Sequence, residues 1–396
     1  MQPLVLSHYS IVTALGAGLD ATLGALSANR SGLRPREFDG ALSTWVGEIA
    51  ALDGFRLENE FAAFDCRNNR LAALALAQDG MAEAVAAARA KYGAHRIGLF
   101  LGTSTSGLQQ TELCYQRRDP ASGTLPPDFH YAETHNTFAL AAFLARALQL
   151  TGPAVVASAA CATTAKVFGN AARMIAAGLC DAALVGGADT LCATTLYGFR
   201  SLGLVSSGPC RPFDAARDGI SIGEGAGFAL LEAPRGHADP DAVMLLGIGE
   251  SSDAYHMSSP DPEGGGAKLA MERALAAARL VPRDIDYVNL HGTATRMGDA
   301  AEDRAIVDLF GTATPCSSTK GHTGHTLGAG GIVEAIISAL AVRHGLLPGS
   351  PNTAELDPEL RSHYRVSSAP ARIDRVVSNS FGFGGSNCSL VLGRAR

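Results

Sequence analysis

The sequence lacks any C-x-x-C pair, although it holds eight cysteines, at positions 66, 114, 161, 180, 192, 210, 316 and 388. Thiols scattered in this way argue against a disulfide framework or a structural zinc site, and they fit a reducing cytoplasm. Excess positive charge is also missing. Against 38 Asp and Glu stand 32 Lys and Arg, a formal charge of -6, which argues against a general nucleic-acid binder. No apolar run reaches about 18 residues, so no transmembrane helix is expected. The start, MQPLVLSHYS, has no basic region leading into an apolar stretch and cleavage site, so no secretory signal is expected. Three chemical signatures are absent as well. There is no Walker A loop, no G-x-S-x-G nucleophile elbow, and no dinucleotide fingerprint, since GEGAG (223–227) has the wrong glycine spacing.

What is there is an α/β pattern. Strand-like runs at 96–102, 154–160, 181–187, 286–292 and 375–381 alternate with alanine-rich helical segments at 70–92, 137–148, 162–177, 265–280, 300–310 and 329–345. The strands are continuous apolar runs, as expected when helices cover both faces of a sheet. With 47% hydrophobic and 18% charged residues, the chain can bury a sizeable core. A change near 235–245 marks a seam between an N-terminal half, 1–240, and a C-terminal half, 241–396. No internal duplication is evident from the residues.

The stretch SAACATTAK (158–166) surrounds one sulfur with very small side chains. Cys161 lies at a strand-to-helix junction, beside free backbone N–H groups and the positive end of a helix, a setting that stabilises a thiolate. The other reading is a core cysteine, and the segment alone leaves both open. Gly178 is the expected C-terminal stop of the following helix.

Two histidine motifs favour a site. In NLHGTATRMGDAAE (289–302), His291 closes a strand, where α/β folds place their ligands. In STKGHTGHTLGAGG (318–331), His322 and His325 have H-x-x-H spacing, but no further ligand motif accompanies them and a metal reading is weak. The stretch FGFGGSN (381–387) is either a plain turn or a flap whose backbone N–H points into a pocket.

Six motifs in order then carry a resemblance over nearly the whole chain: ACATTA around Cys161, CRPFDAARDGISIGEGAG (210–227), SSDAYHMSSP (251–260), HGTATRMGD (291–299), SSTKGHTGH (317–325) and NSFGFGGSN (379–387). The chain resembles the β-ketoacyl-acyl-carrier-protein synthases of the KAS I/KAS II type, the condensing enzymes of fatty-acid and polyketide synthesis. GTSTSG (102–107) and FDCRNNR (64–70) look more like ketosynthases of aryl-polyene clusters. The first strand, LVLSHYSIVTALG, departs from the family's usual Thr-Gly-Xaa-Gly turn.

The resemblance implies a thiolase-like αβαβα fold of two similar halves and five layers. It implies a decarboxylative Claisen condensation in which Cys161 carries the acyl group. His291 and His325 would stabilise an enolate from neutral Nε2, and the backbone N–H groups of Cys161 and Phe383 would bind the oxyanion. Lys320 would stand behind the histidine pair with Asp299 and Glu302 as its charge partners, and Glu334 would support the site. Thr293 and Thr295 would hold the pantetheine arm, Thr105 would gate the acyl pocket, and Gly382, Gly384 and Gly385 would hinge a flap carrying Phe383. Lys166 is expected to make a structural contact only. Arg67 and Arg70, one helical turn apart, are the basic candidates for an acidic carrier protein. No cofactor or metal is expected, since the phosphopantetheine arm belongs to the carrier. A homodimer through 153–160, with the helix near 135–148 lining the partner's pocket, or a heterodimer with a related subunit, is expected. Two other readings remain, a thiolase acting on coenzyme A, whose second cysteine would belong to a C-terminal glycine-rich motif that Cys388 follows rather than sits in, and a non-catalytic chain-length partner subunit.

Overall fold

The structure, a computed structural model, describes residues 1–38, 42–234 and 242–395. The expected seam near 235–245, and with it the 240/241 boundary, falls mostly outside the described residues.

The first half contributes strands β1 (Leu4–Thr13), β2 (Ile97–Gly102), β3 (Ala154–Ala157), β4 (Ala182–Asp189) and β5 (Gly225–Glu232). The second contributes β6 (Val243–Ser252), β7 (Tyr287–Asn289), β8 (Pro315–Ser317), β9 (His363–Tyr364), β10 (Arg375–Gly382) and β11 (Ser386–Arg394). In space they run β1-β5-β4-β2-β3 and β6-β11-β10-β7-β8, with β9 beyond β8. Each run has the same sequence of pairings: antiparallel, antiparallel, parallel, parallel. This shared order is the duplication that the residues alone did not reveal. The halves join where β1 meets β6, at Leu4 opposite Leu245 and Val5 opposite Met244.

The helices sort into layers by the cores they share. Helices α1 (Arg67–Leu76) and α2 (Ala139–Leu148) bury their apolar faces against the outer face of the first half, with Leu99, Leu184 and Phe228. Helices α4 (Gly265–Ala278) and α5 (Arg296–Phe310) do the same on the second half, with Val288, Val377 and Val391. Helices α3 (Thr163–Ala176) and α6 (Gly330–His344) share one core with the inner faces of both halves, including Ile11, Phe100, Val185, Tyr287, Val376 and Leu390. Helices, sheet, helices, sheet, helices make the five αβαβα layers that the resemblance implies. Strands sandwiched in this way need apolar side chains on both faces, hence the continuous runs in the sequence.

The small residues around and after Cys161 have a packing reason. A Cβ built on Gly331 of α6 would lie 2.3 Å from the backbone N of Ala165 in α3, so the two central helices touch main chain to main chain. Gly178 ends α3 with φ 71, as the sequence implied. The single helix expected over 70–92 is two, α1 and Met81–Tyr92, bent by 73° at a break where Gly80 adopts φ 71.

One helix has to be weighed against the expectation of no transmembrane helix. Leu327–His344 has 18 residues at mean hydropathy 1.3, enough to cross a membrane by length and composition, but 89% of it is buried inside the fold. Its apolarity is that of a helix between two sheets. All eight cysteines are free and buried.

Candidate active site

Cys161 sits between β3 and α3, held by a tight turn. Ala160 takes a left-handed φ of 49, rare for a residue with a Cβ. Thr163 stitches the turn, its hydroxyl accepting from Ala159 N at 2.7 Å and donating to Ala160 O at 2.6 Å. Cys161 is 7% exposed. The backbone N–H of Phe383 donates to it. A Cβ on Gly382 would come within 3.2 Å of Cys161 N, so the glycine brings β10 close over Cys161.

His291 follows β7. The loop it opens is fixed from behind by the acidic side chains of α5. Glu302 accepts from the N–H groups of His291 (2.8 Å) and Gly292 (2.7 Å), and Asp299 accepts from those of Thr293 (3.0 Å), Ala294 (3.1 Å) and Phe213 (2.8 Å). These carboxylates therefore shape the loop. They do not pair with Lys320, which corrects the expectation from sequence. The partner of Lys320 is Glu334 on α6, since the two residues approach closely in the buried core.

All three ammonium protons of Lys320 have acceptors: Glu334 Oε1, the carbonyl of His291, and His291 Nδ1 at 3.3 Å. An imidazole nitrogen that accepts from an ammonium carries no proton. The ring proton of neutral His291 is thus on Nε2. His325 Nε2 lies 3.1 Å from Cys161 Sγ, and the two rings meet edge to face with centroids 5.4 Å apart. Among the described residues, His325 Nδ1 has no hydrogen-bond partner.

Burial and the neighbouring ammonium hold both imidazoles well below the ordinary histidine range, and His325 adds to the effect on His291. They are neutral at physiological pH. Burial also pushes the Cys161 thiol up to about 11, against the pull of Lys320 and the Phe383 N–H. Of the two readings the segment left open, burial opposes the thiolate, because removal from water outweighs the pull of Lys320 and the Phe383 N–H. Burial raises Glu334 to about 7 and Asp299 to about 7.

The ligand atoms of Cys161, His291 and His325 lie within 4.8 Å of one another, the one such group found among the described residues. One sulfur and two neutral imidazoles facing a cavity is also a donor set that zinc accepts. His322 is not part of it. Its nitrogens face the carbonyls of Arg30 (2.9 Å) and Gly349 (3.2 Å), and burial holds it down at about 4.

A cavity of about 430 Å³ opens above the trio, lined by Thr293, Thr295, Met297, Phe199 and Phe383 among others. The hydroxyls of Thr293 and Thr295 are 3.0 Å apart. Phe383 packs on Phe199 at 5.5 Å, at the head of a turn in which Gly384 (φ 79) and Gly385 (φ 73) are left-handed. The turn is moored to the 253–257 loop. Gly384 N donates to Met257 O, and Asn387 donates to Asp253 at 2.6 Å. Asp253 and Asn387 both fall in motifs quoted above, but nothing in the residues alone pointed to their pairing.

Other sequence expectations fare differently. Thr105 does not line this cavity, and its hydroxyl donates to Asp189 at 2.7 Å. Arg67 is 9% exposed and clamped between Glu224 (2.5 Å) and Asp53 (2.7 Å). Arg70 is held by Asp65 at 2.5 Å. The expected basic entrance is thus spent on internal ion pairs, because both arginines project from α1 toward carboxylates. Lys166 reaches Glu250 at 3.6 Å, a structural contact as expected. Cys388 lies in the core between the sheets, away from the cavity.

Two family models match the chain. Residues 10–236 match the β-ketoacyl synthase N-terminal domain and 242–354 the β-ketoacyl synthase C-terminal domain. The chain is 32% identical to 3-oxoacyl-[acyl-carrier-protein] synthase 2 of Coxiella burnetii, across 99% of this chain and 98% of that protein. It is 44% identical to the mitochondrial 3-oxoacyl-[acyl-carrier-protein] synthase of Arabidopsis thaliana over a shorter stretch, 61% of this chain and 56% of that protein. A ketosynthase of Xenorhabdus doucetiae, solved in complex with its chain length factor, superposes with a TM-score of 0.89 at 38% identity, covering 100% of this chain and 98% of the other.

Proposed function

The chain belongs to the β-ketoacyl synthase family, and from that membership we propose that it catalyses a decarboxylative Claisen condensation on acyl carrier protein. An acyl group on Cys161 is joined to two carbons of a malonyl group, giving 3-oxoacyl-acyl carrier protein and CO2.

In the first half-reaction Cys161 Sγ bonds to the acyl carbonyl carbon and the bond to the carrier's sulfur breaks. The thiol proton leaves with the carrier thiol. The tetrahedral oxyanion sits against the N–H groups of Cys161 and Phe383, donors aimed at developing charge. In the second, the malonyl C–COO⁻ bond breaks, CO2 departs, and the electron pair moves into the thioester as an enolate. Nε2–H of His291, whose tautomer Lys320 sets, donates to that oxygen, and His325 is the second donor. The enolate carbon then attacks the acyl carbonyl. The Sγ–C bond breaks, and the sulfur takes up one proton from solvent, the proton that the overall condensation consumes, as it returns to the buried thiol state. Thr293 and Thr295 receive the polar groups of the pantetheine arm, and the Phe383 turn swings on Gly384 to admit the malonyl group after the acyl group.

The observation that carries this reading is the convergence of one sulfur and two imidazoles, from opposite halves of the chain, within 4.8 Å at the floor of a cavity. The test is incubation with acyl- and malonyl-carrier protein. Intact mass is expected to show the acyl group on Cys161, CO2 is expected to be released, and Cys161→Ala is expected to form no acyl-enzyme. Full condensation by Cys161→Ala would require a different nucleophile.

A thiolase reading is disfavoured by the position of Cys388 in the core, and a non-catalytic subunit by the presence of the full trio. The partners follow from the relatives. Carrier protein supplies both substrates, and a related subunit is a second candidate for the dimer, as the Xenorhabdus ketosynthase pairs with its chain length factor. The product serves fatty-acid or polyketide synthesis, and GTSTSG (102–107) with FDCRNNR (64–70) supports the aryl-polyene kind.

A further inference from the structure

Asp189 ends β4 with no exposed surface. Its Oδ1 accepts from Ser104 N (2.7 Å), Thr105 N (2.7 Å), Thr105 Oγ1 (2.7 Å) and Thr103 Oγ1 (2.9 Å), and its Oδ2 accepts from Ala329 N (3.0 Å). Burial pushes the Asp189 carboxyl above the ordinary carboxylate range, and the five donors, with no acceptor among them, work against that shift in favour of the ionised form. Four of the donors are in the loop after β2, in the first half. The fifth is in the second half, four residues after His325. Thr164, on the first turn of the helix that follows Cys161, reaches the same place: its hydroxyl donates to Gly328 O at 2.6 Å and accepts from Ile332 N at 2.9 Å. There is no slack between these groups. A Cβ on Gly328 would lie 2.8 Å from Asp189 Oδ2 and 2.5 Å from Ser104 Oγ. The other side of the His325 turn is pinned by Ser221 O, which accepts from His325 N at 2.7 Å.

We propose that Asp189 and Thr164 are positioning residues for the condensation, a two-point clamp that fixes the His325 turn of the second half to the Cys161 frame of the first. The clamp sets the 3.1 Å approach of His325 Nε2 to Sγ. Asp189 has a second effect, because its buried negative charge disfavours the thiolate and helps keep Cys161 protonated until an acyl group arrives. The two members differ in this respect, since Thr164 carries no charge.

The decarboxylation readout rests on the condensing-enzyme reading, whereas the alkylation readout does not. In Asp189→Asn the amide oxygen keeps the first-half donors, but its NH2 meets Ala329 N–H, donor against donor. Release of CO2 from malonyl-carrier protein is expected to fall by roughly 10–100-fold, the cost of displacing a catalytic group by a fraction of its reach. The pH midpoint for iodoacetamide alkylation of Cys161, followed by intact mass, is expected to move down. In Thr164→Val the CO2 rate is expected to fall while the alkylation midpoint stays, and Thr164→Ser is expected to restore the rate. A wild-type alkylation midpoint in Asp189→Asn overturns the electrostatic half of the proposal. A wild-type CO2 rate in both Asp189→Asn and Thr164→Val overturns the clamp. Should Asp189→Asn not fold, the Thr164 pair decides, and an unchanged rate in Val or no recovery in Ser overturns the clamp. A wild-type chain that alkylates normally yet releases no CO2 removes the condensing-enzyme reading instead.

Discussion

Lys320 does three things with three protons. It neutralises Glu334, anchors the His291 carbonyl and fixes which nitrogen of His291 carries its hydrogen. Lys320→Ala should therefore cut CO2 release by about 10²–10³-fold, as for loss of one oxyanion donor, while acyl transfer to Cys161 survives. The variant also strands Glu334, and urea unfolding should report a loss of about 3–5 kcal/mol. Another histidine isolates a pH effect. His322 is held at about 4 by burial, whereas in the unfolded chain it titrates near 6.5. Between these values the unfolded state binds the extra proton, so stability is fully present above about 6.5 and is lost as pH falls toward 4, by roughly 3 kcal/mol in all. Glu334 and Asp299, raised by burial, act with the opposite sign. The difference between wild type and His322→Gln removes them, and urea midpoints across this window should fall more steeply for the wild type.

At the scale of elements, the contact of α3 with α6 decides where the chemistry sits. Each helix starts just after a segment that we place in the reaction, Cys161 before α3 and the Lys320–His325 stretch before α6. Gly331→Ala would drive a methyl to 2.3 Å from the main chain of Ala165, which only a helix shift relieves. Overpacking of this kind costs about 1–3 kcal/mol. The expected result is a lowered urea midpoint together with a loss of condensation larger than the loss of fold, because the shift separates His325 from Cys161. The residues announced these helices well. SAACATTAK marked the junction and Gly178 the end of α3. They did not announce that the α1 segment breaks at Gly80, or that the arginines of α1 face Glu224, Asp53 and Asp65, because the partners of Arg67 lie up to 157 residues away in sequence.

At the scale of the molecule, β3 is the edge of its sheet. Pro153 O and Ala157 O accept from the N–H groups of Leu99 and Thr103, so by the two-residue alternation of a strand Ala154 and Val156 turn their backbone groups outward. An unprotected edge of this composition invites a second strand. A dimer is the expected species in solution, with a second copy or a related subunit. Val156→Pro, which removes one outward N–H, should yield monomers by sedimentation while the far-ultraviolet signal of the fold persists. A dimer that survives this change would place the interface elsewhere.

The alternation of strand-like and helical runs, the doubly buried character of the sheets and the motifs that carry Cys161, His291 and His325 were all legible in the sequence. Each depends on local apolar runs, on glycine at turns or on short motifs whose residues are adjacent in the chain. Only the tertiary structure decided that the two halves repeat one topology, that Glu334 rather than Asp299 or Glu302 neutralises Lys320, that burial leaves Cys161 a neutral thiol, and that Asp189 ties one half to the other. These depend on distances between residues far apart in sequence and on the exclusion of water. Coulomb energy and desolvation follow separation and depth, and neither quantity is written in the order of the residues.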